Sequence, residues 1–97
     1  MEHEFATPTE AGLARLFDAL GITWEYEPRE FVLEHYADGR VKTAFRPDFY
    51  LPGLDRYVEV TTQSNLNRKN RKMRMMAEQY PEVEIVLIGR RELAVLP

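Results

Sequence analysis

The sequence predicts an α/β fold in the order α-β-β-β-α-β, with a central mixed sheet flanked by helices. Two stretches with helical spacing of apolar residues enclose a middle region rich in β-branched and aromatic residues, and a short apolar run follows the second stretch. Strands joined by tight turns are antiparallel, whereas a helix that joins two strands of one sheet leaves them parallel, with a right-handed crossover. The sheet is therefore expected to be mixed.

The first helix is predicted over residues 8 to 20. Thr7 is a suitable N-cap, Pro8 suits the first turn, and Glu10 follows the cap at the spacing of a capping box. The apolar residues at helical spacing are Leu13, Leu16, Phe17 and Leu20. Gly21 then accepts the positive φ with which many helices end.

The middle region is predicted to form strands. Asp38-Gly39 lies between β-type segments and predicts a hairpin, because both residue types accept left-handed backbone. Further strands are expected over residues 48–51 and 56–62, separated by a Pro-Gly turn. Alternation along the second of them places on one face Tyr57, Glu59, Thr61 and Gln63.

The second helix is predicted over residues 65–79 and ends before Pro81. The last strand is predicted over residues 84–88. Its continuous apolar run is typical of a strand that is buried on both faces of a sheet.

Composition predicts a single domain over residues 1–97, since 44% hydrophobic and 30% charged residues are ordinary for a globular chain of this length. A core this small favours association, so we expect a homodimer. The chain has no cysteine, which excludes disulfides, thiolate metal ligands and a cysteine nucleophile. No apolar run approaches the roughly 18 residues of a membrane span, and the acidic start is unlike a signal peptide. We therefore expect a cytoplasmic protein with no membrane partner.

Asp48 and Glu59 are the leading candidates for chemistry. Both lie among apolar residues on consecutive predicted strands, where an unpaired acid is costly. A tight turn between the strands can bring the two side chains together. Paired carboxylates supply the oxygen ligands that Mg²⁺ prefers, and the bound ion can activate water and neutralise charge on a phosphodiester.

Pro47-Asp48 followed by Glu59-Val60-Thr61 resembles the Pro-Asp…(Asp/Glu)-X-Lys signature of the PD-(D/E)XK nuclease superfamily. The likeness is greatest to its small Holliday-junction-resolvase-like and very-short-patch-repair-like members, and it spans most of the chain. It implies a restriction-endonuclease-like core and a Mg²⁺-dependent (or Mn²⁺-dependent) endonuclease that cleaves DNA phosphodiester bonds. By the same resemblance, Asp48 and Glu59 bind the metal.

The resemblance also assigns residues outside the motif itself. Glu10 matches an acidic residue that many members carry on the first helix, which would make it a third metal ligand; the capping box with Thr7 explains Glu10 equally well. Gln63 matches a polar residue just past the acidic strand. Thr61 stands where the family has its lysine. In some members that lysine comes from the following helix, and Lys69, about 60° from Leu66 on the helical wheel, is the first candidate here.

Basic side chains are concentrated on the second helix, although the net charge of the chain is −3. The residues expected to contact nucleic acid are Arg68, Lys69, Arg71 and Lys72. Such a run is equally typical of a solvated helix face. The alternative to an endonuclease is therefore a catalytically inactive module of nuclease fold that binds nucleic acid or a protein partner, a hypothesis that Thr61 favours.

Overall fold

The computed structural model describes Phe5 and residues 7–61 and 66–89, except for the side chains of residues 66–69. The elements of this part of the chain are α1 (Pro8–Ala19), β1 (Glu25–Tyr26), β2 (Phe31–His35), β3 (Val41–Phe45), β4 (Phe49–Leu51), β5 (Arg56–Thr61), α2 (Leu66–Gln79) and β6 (Ile85–Gly89). Among these residues, neither helix combines the length and the apolar character needed to cross a bilayer. The α/β class is confirmed.

Helix α1 begins and ends where the capping residues predict. The Thr7 side chain accepts a hydrogen bond from the Glu10 backbone N–H at 3.2 Å, which satisfies one of the free donors of the first turn. Leu20 forms the C-cap, and Gly21 follows with φ +71°, in the left-handed region that glycine enters without steric cost.

A mixed sheet forms the centre of the described fold, in the order β1-β4-β5-β6. β1 and β5 are both antiparallel to β4, whereas β6 is parallel to β5, because α2 connects them. The mixed sheet is thereby confirmed. The strand count is not confirmed: five strands separate the helices in this part of the chain, whereas the predicted order has three and the segments assigned to strands number four. The added strand β1 stops at Tyr26, because Glu27 turns into positive φ (+46°) ahead of Pro28.

The predicted hairpin is present but does not join the central sheet. β2 and β3 pair antiparallel as a separate two-stranded sheet. The Tyr36 N–H donates to the Arg40 carbonyl at 2.8 Å, and Gly39 between them has φ +94°. The Asp38-Gly39 turn is therefore confirmed.

The core has two parts that share the central sheet. Around α1 the buried residues are Leu13, Ala14, Phe17, Phe49, Leu51, Val58 and Val60. Around the hairpin and α2 they are Phe31, Leu33, Phe45 and Met76, with Tyr57 of β5 packed against them. Since side chains of one strand alternate between faces, β5 contributes Val58 and Val60 to the first cluster and Tyr57 to the second.

The last strand is less buried than its apolar sequence predicts. β6 is the terminal strand of the described sheet, and Val86 is 41% exposed. The prediction of burial on both faces is wrong for the described residues. An uninterrupted apolar run is typical of a central parallel strand, but position in the sheet depends on topology, which local sequence does not specify.

Candidate functional site

Acidic side chains meet where three elements come together: the first turn of α1, the end of β1 and the start of β4. The register Tyr26↔Phe49 continues past both strands, because the Glu27 N–H donates to the Asp48 carbonyl at 2.8 Å. Glu27 and Asp48 are thus neighbours across the β1–β4 pair. Packing of α1 on the same sheet brings Glu10 to them.

Glu10 is 4% exposed and is held by polar partners on both carboxylate oxygens. Its Oε2 accepts a hydrogen bond from the Thr7 hydroxyl at 2.7 Å, and its Oε1 accepts one from the Tyr26 hydroxyl at 2.9 Å. Glu10 can therefore belong both to the helix cap and to a metal site. Its backbone N–H donates to the cap residue Thr7, and its carboxylate lies in the acidic cluster.

Asp48 and Glu59 are connected through the backbone. The Asp48 N–H donates to Glu59 Oε1 at 3.0 Å, and the Val60 N–H donates to Asp48 Oδ2 at 2.8 Å. This exchange fixes both acids at the point where β4 and β5 begin to separate. Glu59 is itself buried, at 6% exposure. These two hydrogen bonds place Asp48 and Glu59 side by side, as the sequence predicts.

Glu27 is the member of the site that sequence reasoning missed. One carboxylate oxygen each of Glu10, Glu27 and Asp48 lies within 4.8 Å of the other two. These three acids could hold a metal ion. The sequence signal for Glu27 is weak, since it depends on Pro28 ending β1 at this point and on a β1–β4 register that the sequence does not reveal. Glu59 adjoins the cluster through its hydrogen bond to Asp48; its role as a metal ligand stays a prediction.

The pKa of Asp48 is raised from 3.8 to about 8. Burial is the largest cause, followed by the negative charge of Glu59; a hydrogen bond to Glu10 and the charge of Glu10 act in the same direction. The Val60 N–H opposes the shift, because it stabilises the ionised carboxylate. Close carboxylates that repel one another in a partly dry setting provide the electrostatic environment that a divalent cation relieves.

A basic side chain lies beside the cluster. Arg46 Nη1 is 4.0 Å from Glu27 Oε2, and Arg46 Nη2 is 3.0 Å from Glu30 Oε2. Both ends of these ion pairs are partly open to solvent. The cluster is thus closed by α1 and β5 on one side and accessible along Glu27 and Arg46 on the other.

Three predicted residues fall wholly or partly outside the described residues. Gln63 lies outside them altogether. The backbones of Arg68 and Lys69 belong to the first turn of α2, but their side chains are not described. Thr61, the residue in the lysine position, ends β5 and is buried. The expected contribution of Lys69 to the site stays a prediction.

The remaining two basic residues of the predicted nucleic-acid surface contact the hairpin. The Arg71 guanidinium forms an ion pair with Glu34 at 2.9 Å, and Lys72 Nζ donates to the Ala44 carbonyl at 2.9 Å. These contacts attach α2 to β2 and β3 and use part of the donor capacity of both side chains. Arg71 nevertheless stays half-exposed.

No protein-family model, curated protein or solved structure matches the chain. Any assignment of function therefore depends on the chemistry of the acidic cluster itself.

Proposed function

We propose that this protein is a Mg²⁺- or Mn²⁺-dependent endonuclease that cleaves DNA phosphodiester bonds. The observation that carries the proposal is the convergence of Glu10, Glu27 and Asp48 within 4.8 Å at the end of a strand pair. The motif resemblance of Pro47-Asp48 and Glu59 supports the same reaction. A restriction-endonuclease-like core and a cytoplasmic homodimer belong to this proposal as well.

The donor set fits a hard divalent cation. The cluster offers carboxylate oxygens alone, which Mg²⁺ and Mn²⁺ prefer, and no thiolate or imidazole of the described residues belongs to it. When bound, such an ion lowers the pKa of a water ligand and neutralises charge on a phosphodiester. Glu27 is partly exposed, so one side of the site is open to water and to a phosphate group.

In this proposal some residues would bind the ion, and others fix the position of those ligands. Glu10 and Asp48 would hold the ion, since the Thr7 and Tyr26 hydroxyls orient the first carboxylate and the Val60 N–H orients the second. Glu59 accepts a hydrogen bond from the Asp48 backbone N–H and so fixes the backbone, and the Asp48 side chain cannot turn away without breaking its hydrogen bond from the Val60 N–H. Such a preorganised site limits the reorganisation needed when metal and substrate bind.

A catalytically inactive module of nuclease fold is the second candidate. It is favoured by Thr61, which carries no charge where the motif has a lysine, and by the net charge of −3 of the chain. This module would bind nucleic acid or a protein partner without cutting it.

DNA cleavage assays separate the two candidates. Purified protein is incubated with supercoiled, linear and branched DNA in Mg²⁺ or Mn²⁺, beside Asp48→Asn and the control Glu25→Gln, which changes an exposed acid on β1. The endonuclease proposal predicts cleavage by the wild type and the control and at least a hundredfold less by Asp48→Asn, on the order of magnitude of a lost essential ligand. Equal cleavage by Asp48→Asn, or none by any protein, would refute the proposal.

A further inference from the structure

The backbone of Arg46 is held in place at the open side of the acidic cluster. Its neighbours in sequence are Phe45, which is 4% exposed, and Pro47, which is fully buried. Two buried neighbours hold the backbone of residue 46 in place, while the guanidinium itself is half-exposed. The fold therefore fixes the point from which the Arg46 side chain extends toward Glu27.

The ion pairs of Arg46 are unequal. The contact with Glu30 is a hydrogen bond of 3.0 Å, whereas the contact with Glu27 is a longer pair of 4.0 Å. Two other cations, Lys42 of the hairpin and Arg71 of α2, pair with Glu34 and not with the cluster. In the described part of the chain, Arg46 is thus the basic residue paired with a member of the cluster.

Glu27 cannot form a strong ion pair with Arg46 and bind a divalent ion at the same time. An ion held by Glu10, Glu27 and Asp48 takes up the negative charge of Glu27 and repels a guanidinium only a few ångströms away. With an ion bound there, the weaker of the two Arg46 pairs, the one with Glu27, would be lost. Nη1 would then be released from Glu27 while Nη2 stays with Glu30, and because the guanidinium is half-exposed a substrate phosphate that approaches the ion could reach Nη1.

The geometry points to Arg46 as the phosphate-binding residue of this site, released from Glu27 by the divalent ion and then bound to a phosphodiester of nucleic acid. The inference rests on the endonuclease proposal and adds to it a substrate-contacting residue and an order of events. Arginine suits the role, because its planar fork of N–H donors matches two phosphate oxygens and it stays charged at every working pH.

The first test is Mn²⁺ affinity, measured by calorimetry at low ionic strength. Arg46→Gln removes the cation that competes for Glu27, so it should bind Mn²⁺ about two- to fivefold more tightly, the range expected for a partly exposed ion pair. Arg56→Gln is the matched control: Arg56 is as exposed as Arg46 and pairs with Glu84 at 3.0 Å, at the opposite end of β5. The control should bind Mn²⁺ like the wild type.

The second test is DNA cleavage at saturating Mn²⁺. Arg46→Gln should lose about ten- to hundredfold in kcat/KM, as expected for one charge-assisted hydrogen-bonding partner, and Arg46→Lys should recover part of the loss. Tighter Mn²⁺ binding together with slower cleavage is a combination that a merely structural role does not produce. Unchanged or weaker Mn²⁺ binding by Arg46→Gln, or cleavage equal to the wild type, overturns the inference and leaves the endonuclease proposal intact.

The results that would refute the endonuclease proposal differ from those that would refute the role of Arg46. If wild-type Mn²⁺ binding is absent or does not depend on Asp48, both the proposal and the inference fail. If the wild type binds Mn²⁺ through Asp48 but cuts no DNA, only the endonuclease proposal fails. Arg46 is then judged by binding of a labelled DNA oligonucleotide in Mn²⁺, where unchanged affinity of Arg46→Gln overturns its assignment to phosphate.

Discussion

Replacing Asp48 with asparagine should make the protein more stable while it removes metal binding. Asparagine has the shape of aspartate: its oxygen can accept the hydrogen bond of the Val60 N–H, and its amide can donate to Glu10. What the substitution removes is the charge. Ionisation of Asp48 in the folded protein is costly because of burial and of the neighbouring Glu59.

The pKa of Asp48 gives the size and the sign of this effect. A rise from 3.8 to about 8 would correspond to roughly 6 kcal/mol at 1.36 kcal/mol per unit if it were fully expressed. Asp48 is only half-buried, so solvent screening reduces the expected gain to about 1–2 kcal/mol. For a domain of this size, that gain raises the Tm by about 4–16 °C.

The gain in stability of Asp48→Asn over the wild type should increase as the pH rises. Unfolded chains ionise Asp48 near pH 3.8, whereas the folded protein keeps the proton until about pH 8, so folding takes up a proton between these values. The wild type therefore loses stability relative to Asp48→Asn as the pH rises from about 4 to about 8. At pH 4 the two proteins should unfold alike, and at pH 8 the difference should be largest.

Thermal and urea unfolding of both proteins at pH 4, 6 and 8 without metal provide the assay. Asp55→Asn is the control, because Asp55 is an exposed acid with positive φ that asparagine tolerates. A pH-independent difference, or an Asp48→Asn protein that is less stable than the wild type at pH 8, would refute the electrostatic account of the cluster. Added Mn²⁺ should stabilise the wild type and leave Asp48→Asn unchanged.

Three further substitutions test individual parts of the account. Glu27→Gln should weaken Mn²⁺ binding at least about tenfold in calorimetric titration, whereas Glu25→Gln on the same strand should have no effect; equal affinities would exclude Glu27 from the site. Tyr26→Phe should lower the free energy of unfolding by about 1 kcal/mol in urea titration, since Glu10 loses a hydrogen-bond donor, and an unchanged value would contradict that contact. Phe49→Ala should cost about 3–5 kcal/mol, because its ring is fully buried, and a loss below about 1 kcal/mol would contradict the packing described.

Local signals in the sequence predicted the helices well. The Thr7 cap and Gly21 mark the bounds of α1, and the spacing of apolar residues up to Gln79 marks α2. Both depend on interactions within a few residues, which sequence displays directly. The Asp38-Gly39 turn was predicted correctly for the same reason.

Long-range pairing was harder to predict. β1 is two residues long and depends on its register with β4, so neither its existence nor the position of Glu27 beside Asp48 follows from local sequence. The exposure of Val86 has the same origin, since it depends on which strands adjoin β6. Part of the acidic site was therefore predictable from the motif at Asp48, and the part contributed by Glu27 was not.

We propose that Glu10, Glu27 and Asp48 form one divalent-metal site. Anomalous diffraction from crystals soaked in Mn²⁺ tests it most directly. We expect one strong anomalous peak within about 2.0–2.4 Å of carboxylate oxygens of these residues, with the Arg46 guanidinium moved away from Glu27. A protein that takes up Mn²⁺ elsewhere, or that keeps this cluster free of metal at saturating Mn²⁺, would contradict it.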